Sequence, residues 1–156
     1  MGEDGIGVDD GFGDWGDADP SEKARMVAKS MYLVLNEGQI SAVDDFHHED
    51  LDYYRSSDEL GGRQDLKNDV RRFLSAFPDL EAHISDVFAD EDDGNTVTIR
   101  YEIEGTHSGT FENIPPTEQR VHAKGIGIAT FEGDKIAEFT LVFDNLGLLR
   151  DLGLLK

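Results

Sequence analysis

Few side chains in this 156-residue chain have the character to do chemistry, and their types narrow what it could be. There is no cysteine, so thiolate nucleophiles, disulfides and cysteine-held zinc or iron–sulfur sites are excluded. The leading candidate is Asp144, where the strand-like run Ile136 to Phe143 meets a short Leu/Gly segment of helical type. A carboxyl at the end of a strand that lines a closed pocket is poorly solvated, so its pKa rises toward the range useful for proton transfer. Asp is also a common N-cap, and ahead of Asn145 to Leu149 it could simply satisfy free amides at a helix start. On pattern alone the cap is the more ordinary reading.

His47 and His48 look at first like metal ligands. Neighbouring residues on a helix or strand point apart, and no HExxH spacing accompanies the pair, so no metal site is expected. The run His47 to Asp50 then reads as a polar connection. His122 lies on a strand whose alternation leaves its direction open.

The elements that must position these groups fall in a clear order. Asp19-Pro20-Ser21-Glu22 reads as a capped helix start, and Val27, Met31, Val34 and Leu35 recur on one face up to the stop at Asn36-Glu37-Gly38. A short second helix covers roughly 40 to 47, with Ile40, Val43 and Phe46 facing inward. Leu51 to Tyr54 is a short strand and Arg55 to Gly62 a loop. A third helix runs from about 62 to Pro78, with Leu66, Val70, Phe73, Leu74 and Phe77 inward. Arg63, Lys67 and Arg71, with Asp65 and Asp69, make its solvated outer face.

Strands are expected at about 80 to 90, 95 to 105, 120 to 131 and 135 to 143, with a structured excursion over residues 105 to 117. Helices first and hairpin-linked antiparallel strands afterwards make an α+β fold, helices on one face of a curved sheet.

Length and 38% hydrophobic content fit one domain over residues 20 to 156. Residues 1 to 19 carry six Gly and seven acids with no Lys or Arg, a disordered composition. The net charge of −20 argues against a nucleic-acid partner and against anionic membranes. No apolar run reaches the length of a bilayer span and no signal peptide opens the chain, so a cytoplasmic protein is expected. Acid spread along the whole chain resembles proteins of salt-accumulating halophiles, in which high salt screens self-repulsion.

Taken together, Ala76-Phe-Pro-Asp-Leu80, the Gly105-Thr-His-x-Gly-x-Phe to Ile114-Pro-Pro-Thr117 excursion, Gly125-Ile-x-Ile, Phe131-Glu-Gly-Asp-Lys-Ile136 and Asp144-x-Leu-Gly-Leu-Leu-x-x-Leu-Gly153 resemble the SnoaL-like polyketide cyclases, also called ester cyclases. These belong to the superfamily named for nuclear transport factor two. The resemblance runs from about Ser21 to Gly153. It implies a cone-shaped, curved antiparallel sheet with three N-terminal helices on one face, enclosing a pocket.

It further implies cofactor-free acid–base chemistry beside a carbonyl, without metal, on a small apolar substrate, with Asp144 in the position of the family's acid and base. A proton between two carbonyls is already acidic, so one base and a shaped pocket suffice. The family's usual Trp and His before that aspartate are replaced by Thr140 and Phe139. Thr140 shares a strand face with Val142 and Asp144, which implies a wider and more polar pocket. His107 matches a family histidine that could sit near the pocket mouth or fix the excursion by hydrogen bonds. Tyr54 could offer the pocket a hydroxyl or pack in the core.

The last strand is apolar on both faces, and the superfamily commonly pairs through its sheet, so a homodimer is expected. The alternatives are a non-catalytic small-molecule binding module on the same fold and a hydrolase or ketosteroid-isomerase-like enzyme. The isomerase would need Tyr54 or Tyr101 as donor to the carbonyl.

Overall fold

The computed structural model describes residues 22 to 155 except 56, 57, 91 and 93. The acidic segment 1 to 19 and the expected cap at Asp19-Pro20 lie outside the described residues. Helix α1 (Glu22–Met31) buries Ala24, Val27, Ala28 and Met31, one helical stripe, and widens into a π-type turn over Tyr32–Asn36. Gly38, at φ +69°, reverses the chain beyond it. Helix α2 (Ala42–Phe46) follows, with Val43 buried.

The polar connection expected at residues 47 to 50 is instead the first half of strand β1 (His47–Arg55), and the expected loop holds strand β2 (Asp58–Gly61). The polar residues are accommodated because the register of β1 shifts between His47 and Asp52, leaving Glu49 and Asp50 exposed while His47 and Leu51 point inward. Helix α3 (Arg63–Ala76) starts where the Asp65 carboxylate accepts the Gly62 amide at 3.0 Å. Strands β3 (Glu81–Ala89), β4 (Thr96–Thr106), β5 (Arg120–Glu132) and β6 (Lys135–Phe143) match the expected spans to within a residue or two. Helix α4 (Asn145–Asp151) closes the described chain.

The six strands form one curved, unclosed sheet in the order β2-β1-β6-β5-β4-β3. One pairing departs from the antiparallel expectation: β1 runs parallel to β6. Parallel neighbours need a long crossover, and α3 with β3 to β5 supplies it. The helices cover the inner face, where β4 contributes Val97, Ile99, Tyr101 and Ile103. At the β3 edge, Asn36 docks the end of the first helix by exchanging two hydrogen bonds with the Ala82 backbone, at 2.6 and 3.0 Å. Among the described residues no helix is long and apolar enough to cross a membrane.

Candidate functional site

Between α3, the π-type turn and the inner face of the sheet lies a chamber of about 60 Å³ whose walls are mostly apolar, among them Leu35, Phe73, Ile103, Leu141 and Phe143. Into this wall the fold sets Tyr53, Arg55, Asp69 and Tyr101. Asp69 is 4% exposed, and its two oxygens are fully engaged. One accepts the Tyr53 hydroxyl at 2.6 Å; the other accepts Arg55 at 2.6 Å and also Arg72. Burial and then the bond to Asp69 push the Tyr53 phenol far above its ordinary pKa, so it stays a donor to the carboxylate. The cluster is a closed polar network, and it anchors β1 to α3.

Tyr101 is different. It is 4% exposed, its pKa is pushed up by burial alone, and its hydroxyl has no hydrogen-bond partner among the described residues. The ring can lie flat over β5 because its partner across the sheet is Gly125, where a Cβ would stand 2.5 Å from Cζ and 2.6 Å from the hydroxyl oxygen. The hydroxyl of a buried side chain that has no acceptor, set in an apolar wall, is a donor awaiting one.

The chamber adjoins an outer cleft of about 440 Å³, with Arg55, Phe73 and Phe143 in the walls of both. The cleft lies between α4, Phe111 and Ile114 of the excursion, and Asp58 at the start of β2. Phe143 and Asn145 line it, and Asp144 between them in the chain does not. Asp144 itself is exposed, and it is the N-cap of α4: its Oδ1 accepts the Gly147 amide at 2.8 Å. The carboxylate lies close over Gly147, and a Cβ there would make it shift. The other oxygen of Asp144 has no hydrogen-bond partner among the described residues.

The description "SnoaL-like polyketide cyclase" fits residues 25–152 at the level of a family model. The chain belongs to the SnoaL-like polyketide cyclase family. Among solved structures, AclR of Streptomyces galilaeus, described as a candidate hydroxylase, is 27% identical, with 88% of this chain and 89% of that one covered and a TM-score of 0.78. TsrD of Streptomyces laurentii is 23% identical over 88% of this chain and 100% of its own, TM-score 0.77. IdmH of Streptomyces antibioticus, a candidate polyketide cyclase, is 21% identical over 85% of this chain and 99% of its own, TM-score 0.71. The last two likenesses show the fold alone. No protein of curated function matches the sequence. One fold thus carries names from two reaction types, and the reaction has to be argued from the site.

In this SnoaL-like chain the residues expected around the pocket divide between two places. Tyr54, Thr140 and Val142 come together on the outer face of the sheet, away from the chamber: Tyr54 pairs with Thr140 on β6, and Thr140 with Ile128 on β5. The pleat decides this, since Phe139, Leu141 and Phe143 take the inner face and leave the even-numbered positions outside. His107 is fully buried against Phe77, with ring centroids 5.5 Å apart. Its Nδ1 accepts the Thr117 amide at 3.2 Å and lies 3.0 Å from the Thr117 hydroxyl, so it pins the excursion. His122 is exposed, its Nε2 at 2.6 Å from Glu102.

Sequence reasoning missed Tyr53 and Asp69. Asp69 was legible: Leu66, Asp69, Val70 and Phe73 follow the spacing of one helical stripe, so Asp69 belongs to the buried face rather than the outer one. Tyr53 shares its strand face with Leu51, which marks it as the inward tyrosine of the pair. A three-residue group with metal-ligand atoms within 4.8 Å of one another, Glu81, His83 and Glu104, sits on the exposed outer face of β3 and β4, apart from the chamber.

Proposed function

We propose that the protein takes a small, mostly apolar carbonyl compound from the cleft into the chamber and moves a proton beside that carbonyl, without metal or organic cofactor, in an aldol-type ring closure or an isomerisation. The observation that carries this is the hydroxyl of the buried Tyr101, in the chamber wall and unpartnered among the described residues. A carbonyl oxygen is the acceptor it lacks. As a base removes a proton from the adjacent carbon, negative charge gathers on that oxygen, and a donor already in place stabilises it against an apolar wall. Burial keeps the phenol protonated, as this role needs.

For the base we propose Asp144. Its chain neighbours Phe143 and Asn145 line the cleft, and one of its oxygens is free of hydrogen bonds among the described residues. A second reading is supported by the Gly147 amide on its other oxygen: Asp144 caps α4 and the chain is a binding module. Asp144→Asn separates the two, because Asn caps a helix about as well as Asp and is no base.

The test is deuterium uptake from D₂O into the methylene of ethyl benzoylacetate, a 1,3-dicarbonyl, followed by proton NMR against the spontaneous rate. Wild type should accelerate exchange, and Asp144→Asn and Tyr101→Phe should each lose about 10²-fold or more of it. Wild type that exchanges no faster than the spontaneous rate would leave the binding module standing, and an Asp144→Asn protein as fast as an accelerating wild type would remove Asp144 as the base.

We also propose that two copies pair through the outer face of the sheet. Its support is a row of neighbouring side chains, Phe88, Thr98, Ile128, Thr140 and Tyr54, crossing from β3 to β1, with Ile126 opposite Val142 beside it. Phe88, Ile126, Ile128 and Val142 are between 41% and 58% exposed in the single chain.

A further inference from the structure

Behind the chamber lies a second, inner space of about 40 Å³ that shares Leu35, Val70 and Leu141 with it as walls. Its lining is apolar except for two side chains, Ser30 of α1 and His47 of β1. Both are buried, at 5% and 3% exposure.

The hydrogen bonds of His47 fix what it offers. Its Nδ1 stands 3.0 Å from the Val43 carbonyl oxygen, and a carbonyl can only accept, so Nδ1 carries the proton and Nε2 the lone pair. Phe139 packs edge-on against the ring, with centroids 5.7 Å apart, and holds its plane. Nε2 has no hydrogen-bond partner among the described residues. The sole fully occluded side-chain nitrogen or oxygen without a partner there is His107 Nε2, so the Nε2 of His47 has open space beside it. The space that His47 lines is this inner one. Burial lowers the imidazole pKa to about 4, so the lone pair persists at neutral pH. The Ser30 hydroxyl is likewise unpartnered among the described residues, and it both donates and accepts.

A lone pair on one wall and a hydroxyl on another, in an otherwise apolar space, are complementary to a group that donates to the first and accepts from the second. A ligand hydroxyl does both. A methyl or ring C–H does neither and leaves both protein groups unsatisfied. We infer that Ser30 and His47 form a specificity pair that reads a hydroxyl at the inner end of the ligand, so that the substrate class is a hydroxylated carbonyl compound. The inference rests on the cavity reading proposed above and adds the chemistry of the end remote from the carbonyl.

The experiment compares acetophenone with 3-hydroxy- and 4-hydroxyacetophenone on the full chain in high salt, reading affinity by titration and the His47 imidazole by ¹⁵N-detected proton correlation. Free protein should show the Nδ1–H tautomer. At least one hydroxylated isomer should bind about tenfold tighter than acetophenone, the contribution of one hydrogen bond to a buried acceptor. It should also move the Nε2 resonance upfield. His47→Phe and Ser30→Ala should each remove that preference while acetophenone still binds. Equal affinities for all three probes, or an Nε2 resonance that stays still while the hydroxylated probes bind, overturns the pair; the two groups then serve solvent. Binding by none of the three overturns the cavity reading as well, which keeps the two failures apart.

Discussion

Tyr53 and Tyr101 share a chamber wall, and removing each hydroxyl has opposite consequences because only one of them is satisfied. Tyr53→Phe takes a donor from the buried Asp69 carboxylate and should cost about 1–3 kcal/mol. Tyr101→Phe removes a hydroxyl with no partner among the described residues and should leave stability unchanged or slightly raised. Urea midpoints at one fixed salt concentration compare the two, and a Tyr101→Phe protein as destabilised as Tyr53→Phe would mean that its hydroxyl is already satisfied. His47 gives the pH dependence. Its folded pKa of about 4 lies below the reference of 6.5, so the unfolded chain takes up the proton first. The stability is complete above about 6.5 and is lost as pH falls toward about 4, by roughly 3 kcal/mol. The carboxylates of Asp44, Asp79 and Glu104, held below their ordinary values, lose theirs at lower pH. His47→Phe should therefore flatten the upper part of the acid limb and spare the lower. Of these residues, Tyr101 stood in the sequence only beside Tyr54 as a possible donor for an isomerase, whereas His47 was hidden by the polar company of His48, Glu49 and Asp50, of which a shifted register leaves Glu49 and Asp50 exposed.

The elements were easier to read than the faces they present. Strands β3 to β6 announce themselves by β-branched content and Gly or Asp turns, and α3 by its stripe from Leu66 to Phe73. What β6 shows to the chamber could not be read in the same way, because a strand apolar on both faces satisfies either orientation. The parallel seam between β1 and β6 left no local trace either, since it depends on a crossover most of the chain long. Gly125 shows how such positions become legible once the sheet is paired. It reads as a weak point in β5, yet its missing side chain is the seat of the Tyr101 ring. In Gly125→Ala the new Cβ would meet the phenol and, at 2.8 Å, the Val142 carbonyl oxygen of the neighbouring strand, which the ladder does not let move. We expect a loss of about 1–3 kcal/mol by thermal unfolding together with a lower carbonyl-exchange rate. A variant as stable and active as wild type would show that the ring has another resting place.

For the whole molecule, the charge and the exposed apolar row pull against each other. Each copy carries −20, so bringing two together is opposed by repulsion that reaches about 10 Å at 0.1 M salt and about 3 Å at 1 M. The attraction between two sheet faces rests on apolar area and does not weaken as salt rises. Pairing should therefore switch on with ionic strength. Light scattering across a potassium chloride series should give a mass near the 17.3 kDa of one chain at low salt and about twice that in molar salt. Ile128→Glu sets a carboxylate in the middle of the row at a position 41% exposed in the single chain, so the fold should survive while the pair does not form at any salt. A two-fold axis brings each patch against its own copy, so one substitution acts twice in the interface. A wild-type mass that stays at one chain in molar salt would remove the dimer, and the outer row would then be an apolar surface in search of a different partner.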